Sequence, residues 1–120
     1  MIVNDVITRV RSILNDNAAN DGDRRWTDAS LVLYVAAAQR AILDERPDFR
    51  LSAAGVYQTP AAVTAATDAG SALMVPGEYE EAMAAFVAHL VLTDDNSDSN
   101  NAAQAAEYFK RYERLMISPV

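Results

Sequence analysis

The sequence predicts a mainly α-helical fold, a small bundle of about four helices with a long loop or β-hairpin excursion between the second and the third. Apolar residues recur at three- and four-residue steps in separate stretches, and residues suited to capping or stopping a helix flank them. Between residues 51 and 75 that period lapses into two short β-favouring pieces, "GVYQT" and "ALMV". The chain has 120 residues, 51% of them hydrophobic, with four Gly and four Pro, which suits one domain around one core and is too little Gly and Pro for a disordered chain.

The first helix is expected over residues 4–14, where Val6, Ile7, Val10, Ile13 and Leu14 fall at helical steps and Asn4 or Asp5 is available as N-cap. "NDNAANDGD", residues 15–23, favours turns and left-handed conformations and ends it. Thr27 can cap a second helix over 27–46, with Asp28 against its positive end and Trp26 packed on Leu31. Leu31, Tyr34, Val35, Ala38 and Ile42, with the stem of Arg46, share one face, and Pro47 forces Arg46 out of helical geometry.

The excursion, residues 51–75, joins its two β-favouring pieces through "PAAVTAATDAGS", which has no clear period. So long an excursion from a small core is more often a binding element than filler. Helix returns over 78–93, with Glu78, Glu80 and Glu81 in the first turn and then "AMAAFVAHLVL", apolar nearly all round and so expected to be packed on several sides. After the polar loop "TDDNSDSNN", a last helix over 100–116 has Ser99 or Asn100 as cap and is expected to bury Ala102, Ala105, Ala106, Phe109, Tyr112 and Met116. Residues 117–120 form a tail.

The formal charge is −7, unsuited to gripping phosphates, although an acidic wall would let DNA slide past it. Without cysteine there is no disulfide, thiolate chemistry or Cys-ligated metal. The start lacks a basic segment before an apolar one, and the longest apolar run, Ala82 to Leu92, is short and contains His89, where a membrane span needs about 20 residues; a soluble chain without a signal peptide is expected. His89, the single histidine, has no nucleophile paired with it and reads as a packed residue with a local hydrogen bond. Asp94, Asn96 and Asp98 alternate as in a calcium loop, yet Ser99 replaces the glycine and Ala105 the bidentate glutamate of that motif, so a helix-capping loop is the better reading. Arg24-Arg25 and Lys110-Arg111-Arg114 suit solvated faces or ion pairs. Tyr34, Phe86, Tyr108, Phe109 and Tyr112 read as core, and Trp26 as an anchor at a boundary.

"RWTDASLVLYVAAAQRAILDERPD", residues 25–48, resembles the signature of small tailed-phage and prophage head-to-tail adaptor, or connector, proteins. In that family an Arg-Trp-Ser/Thr-Asp start leads a helix containing Ala-Gln-Arg and ending in Arg-Pro-Asp. The likeness continues through "GVYQTP" (55–60), "VPGEYEEAM" (75–83) and the pair Tyr108-Phe109, and so spans nearly the whole chain. Two departures stand out: Val35-Ala36-Ala37 where the family often has Leu-Asn-Asp, and the Ala/Thr-rich stretch from Ala61 to Ala72.

The resemblance implies a structural virion protein at the head-tail interface, made in the host cytoplasm, with neither cofactor nor metal. A ring of commonly twelve copies would sit beneath the portal, meet tail or neck proteins, and pass DNA through its channel as cargo, away from any membrane. Trp26, Thr27, Asp28, Gln39, Arg46 and Pro47 would be its scaffold positions. Val56, Tyr57, Gln58, Thr59, Val63, Leu73 and Met74 would face a neighbouring subunit or the tail, and Leu115, Met116, Ile117, Pro119 and Val120 the portal. A small acidic regulatory or DNA-mimic protein is the alternative; its acids would be expected in a stripe, whereas here they are scattered and often sit at helix starts. An enzyme would need an acid, base and nucleophile set that the sequence does not offer.

Overall fold

In a computed structural model of the chain, which describes residues 1–16, 24–95 and 100–119, the helical periods close into a bundle. Its elements are α1 (Val3–Ile13), α2 (Asp28–Glu45), α3 (Glu80–Asp94) and α4 (Asn101–Ile117), with short 3-10 turns at Pro47–Arg50, Ala66–Gly70 and Gly77–Tyr79. The bounds agree with the sequence reading to within a residue or two.

Helix α3 is central because it is apolar nearly all round. Its buried residues, among them Ala82, Met83, Ala85, Val87, Ala88 and Val91, point in every direction, and α1, α2 and α4 each pack against it. Helix α1 contributes Val3, Val6, Ile7 and Val10, and α2 contributes Leu31, Val32, Val35, Ala38, Ile42 and Leu43. Burial of each larger aliphatic side chain stabilises by about 1.5 to 3 kcal/mol, so this single cluster is what holds the fold.

The helix ends follow local chemistry. Thr27 caps α2, its side chain accepting the Ser30 N–H at 3.2 Å, and Pro47 leaves Arg46 at φ −126° and ψ 71°, outside the helical region. Helix α1 starts earlier than expected: Ile2, neither Asn4 nor Asp5, takes the N-cap position, and Asp5 Oδ2 accepts the Ile2 N–H at 2.9 Å. At its other end Asn15 adopts φ 55°, the left-handed conformation that asparagine tolerates best after glycine. Its N–H bonds Ser12 O and the next N–H, of Asp16, bonds Arg11 O, which closes the helix and turns the chain. At α4, Asn100 holds the N-cap position and Ser99 lies outside the described residues.

The α4 face differs from expectation. Ala105 and Tyr112 are buried and Met116 half-buried, but Ala102, Ala106 and Phe109 are exposed. The cause is one-sided packing: α4 lies chiefly on α3, and a helix covered from one side buries only a narrow stripe.

Within the excursion no β-strand forms among the described residues; two isolated antiparallel bridges take its place, Leu51 with Tyr57 and Ala72 with Ile2. The second bridge, with Val3 N–H on Ser71 O and Leu73 N–H on Met1 O, both at 3.0 Å, ties the returning chain to the start of α1.

Candidate interaction surfaces

The two ends of α2 are fastened differently. At its start Arg11 reaches from α1, its side chain only 7% exposed, and gathers the chain between the helices. Nη1 donates to Asp16 Oδ2 at 2.8 Å and to Trp26 O at 3.0 Å, while Nη2 donates to Asp28 Oδ1 at 2.6 Å. Asp16, itself buried, also accepts the N–H groups of Arg25 and Trp26. Trp26 is half-buried against the core with the Arg25 guanidinium 4.6 Å over its ring. The expected Trp-Thr-Asp start is therefore one part of a larger clasp; the sequence reading missed Arg11 and Asp16.

At the far end Arg46 pairs with Asp48 through two parallel bonds of 3.0 Å and lies 4.4 Å over the Phe49 ring. Phe49 in turn meets Tyr79 at 5.0 Å between ring centres. The bonds from Arg46 hold the Asp48 carboxyl below its ordinary range, and the same bonds raise the guanidinium of Arg46. Arg46 and Pro47 thus turn the chain and fix the base of the excursion.

From that base an arm projects. Gln58 N–H bonds Arg50 O at 2.8 Å, Arg50 Nε bonds Gln58 O at 2.9 Å, and Ser52 N–H bonds Val56 O at 2.8 Å, so the arm is a hairpin-like loop. Gly55, at φ +80°, makes its turn in a conformation that costs other residues strain. Leu51, Val56 and Tyr57 on the arm are 45%, 60% and 61% exposed. Gln58 and Thr59 are exposed as well.

The other three expected interface residues lie elsewhere. Val63 is 6% exposed and belongs to the core cluster, and Leu73 and Met74 pack against that cluster half-buried. For Val63 this is a correction: the chain returning across the helices pockets its side chain and does not offer it to a partner. Gln39, on α2, accounts for the placing of Met74, since its Oε1 accepts the Met74 N–H at 2.8 Å. Beside it a cleft of 360 Å³ runs between α2 and residues 60–64.

At the C-terminal end Leu115 and Met116 lean on the core, Ile117 is 88% exposed, and Pro119 is half-buried; Val120 lies outside the described residues. A second cleft, of 300 Å³, separates Glu45 and Arg46 from Met116 and Ile117. Tyr112 donates its hydroxyl to Glu45 Oε2 at 2.5 Å, and burial, followed by this bond to a carboxylate, raises its phenol well above the ordinary value. His89 is a packed residue with a local bond: Nδ1 donates to Ala105 O at 3.0 Å, and the ring stands 4.9 Å from that of Phe109. Four members of the two basic groups find carboxylates, Arg24 with Asp28, Arg25 with Asp95, Lys110 with Glu107, and Arg111 with Glu81, whereas Arg114 makes no ion pair with a described residue. Asn96, Asp98 and Ser99 of the calcium-like run lie outside the described residues. Among the described residues no cluster of three or more potential metal ligands forms, and no helix is long and apolar enough to cross a membrane.

Compared with models of known families, with curated proteins and with solved structures, the chain matches none.

Proposed function

We propose that the chain is a head-to-tail adaptor of a tailed phage or prophage, a structural virion protein that forms a ring beneath the portal, joins head to tail and continues the DNA channel. The observation that carries this reading is the pairing of a rigid helix, α2, held at both ends, with an arm at one of those ends bearing Leu51, Val56 and Tyr57 in solvent. Exposed apolar side chains grouped on one projecting element suit a protein contact. Contact of the arm with a different face of an identical subunit is heterologous, and such contacts close into rings when the rotation permits. Ile117, beyond the last packed turn of α4, suits the second contact, with the portal.

The alternative, an acidic regulatory protein that mimics DNA, has less support. Asp16, Asp28, Asp48, Asp95, Glu81 and Glu107 are engaged by arginine or lysine of the same chain, which dissipates the field a mimic would need.

The test is assembly. Purified protein is mixed with heads carrying the cognate portal, the heads are sedimented, and bound copies are counted. Saturation at about twelve copies per head, as cyclic symmetry on a portal requires, is the expected result. Val56→Asp with Tyr57→Asp should lower the count while leaving helicity unchanged; absence of binding to any portal-bearing head would refute the adaptor reading.

A further inference from the structure

The cleft between α2 and residues 60–64 is rich in hydrogen-bond donors that the chain leaves unused. Gln39 is 4% exposed, yet with its Oε1 taken by the Met74 N–H its Nε2 makes no bond to a described residue. Arg40 makes no ion pair or hydrogen bond with any described residue, and Arg50 uses only Nε, on Gln58 O, leaving both Nη groups. The stretch Ala61 to Val63, in neither helix nor bridge, makes no main-chain hydrogen bond through N–H or C=O. Ala61 and Ala62 are exposed, so their main-chain groups are open to water or to a partner.

We infer that this cleft binds an extended acidic peptide segment of a partner protein. Main-chain groups of the segment would pair with those of Ala61 to Val63, as an added strand pairs with an open edge. A glutamate or aspartate side chain would meet Arg40 and the Nη groups of Arg50, whose forked donors match a carboxylate, and a peptide carbonyl would take Gln39 Nε2. Charge complementarity selects the acidic partner: in a chain of net charge −7, the described lining holds two arginines against one carboxylate, Asp44. The inference is independent of the adaptor reading and stands or falls without heads or portal.

The probe is a ten-residue peptide alternating Glu with Thr, titrated into the isotopically labelled full chain and followed by amide NMR. The expected result is saturable shifts at Ala61, Ala62, Val63 and the Gln39 side-chain amide. Affinity should fall about tenfold when Gln replaces each Glu, because ionised acceptors bond more strongly than neutral ones. Arg40→Gln, at an exposed residue without intramolecular bonds, should weaken binding about tenfold and leave the spectrum otherwise native. Lys110→Gln should bind like the native chain. Equal affinity for the Gln peptide, shifts centred on Lys110 to Arg114, tighter binding of oligo(dT) at the same amides, or no shift up to about 1 mM peptide would each overturn the inference.

Discussion

Replacing Arg11 by methionine tests whether the clasp between α1 and α2 holds the fold together or merely decorates it. Methionine keeps most of the buried stem and removes the charge. The consequence falls on Asp16, 8% exposed, which would keep only the N–H groups of Arg25 and Trp26, and on the Trp26 carbonyl, which would lose its donor. Removing one partner of a buried ion pair costs about 3 to 5 kcal/mol, because the other charge is stranded away from water. The contribution through Asp28 is smaller: its side chain is 49% exposed, and exposed pairs stabilise by roughly 0.2 to 1 kcal/mol. The expected total is therefore set by Asp16, at ~4 kcal/mol, and corresponds to a fall in Tm of about 12 to 20 °C for a domain of this size.

Urea unfolding followed by helical circular dichroism measures the loss directly. Asp16→Asn should cost less, since the amide keeps the shape and an acceptor, and the Arg11→Met, Asp16→Asn double variant should be more stable than the sum of the two losses by about 1 kcal/mol or more. Lys110→Met, whose ion pair at 3.6 Å is 73% and 75% exposed, is the control and should change stability by less than about 0.5 kcal/mol. A loss at Arg11 no larger than that of the control, or strict additivity in the double variant, would refute the assignment of the clasp as a buried charge network.

The remaining predictions concern single contacts. Because Tyr112 has its phenol raised above the ordinary value of 10.0 by burial and by Glu45, the unfolded state loses that proton first; stability is fully present below about pH 10 and declines as pH rises above it, and a Tm series in which Tyr112→Phe declines as steeply as the native chain would be the contrary result. Asp68 has its carboxyl lowered by the N–H groups of Thr64 and Ala65, so that contribution is present above the unfolded value of 3.8 and is lost as pH falls through the lower folded value; Asp68→Asn should speed hydrogen exchange at those two amides at neutral pH. Gly55→Ala meets no atom within 4 Å, so its cost should be the left-handed strain alone, about 1 to 2 kcal/mol by urea unfolding, and a larger loss would mean that the arm packs on something.

Helix α2 was the most legible part of the sequence because its boundaries are set by neighbours one to three residues away: a threonine that bonds Ser30 and a proline that displaces Arg46. Helix α3 was legible for another reason, since a stretch apolar on all sides has to be surrounded. Helix α4 was misread on its outer face because alanine fits a buried or an exposed position equally well, and spacing alone does not reveal that it rests chiefly on α3. Arg11 sits five residues from Asp16 and seventeen from Asp28, beyond any helical neighbour rule, so spacing gives no sign of the clasp. Val63 carried a faint signal as the single valine in "PAAVTAATDAGS", but without a period around it nothing distinguished a core contact from an exposed one.

The same physics explains why the candidate surfaces lie where they do. The core is one contiguous cluster around α3, and seven of the ten basic side chains pair with described carboxylates of the same chain, so few cations of the helical body are left to attract a partner. Besides Leu33 on α2 and Ile117 at the end of α4, what is left over belongs to the segment between α2 and α3, which local rules describe least: apolar side chains on the arm at Leu51, Val56 and Tyr57, and unpaired donors along Ala61 to Val63 beside Arg40. Exposed apolar surface is a free-energy cost in an isolated chain, and a partner that covers it recovers that energy without disturbing the core. Anchoring the segment through Gln39 at one end and Arg46 with Asp48 at the other keeps it in place before the partner arrives, which lowers the ordering cost of association.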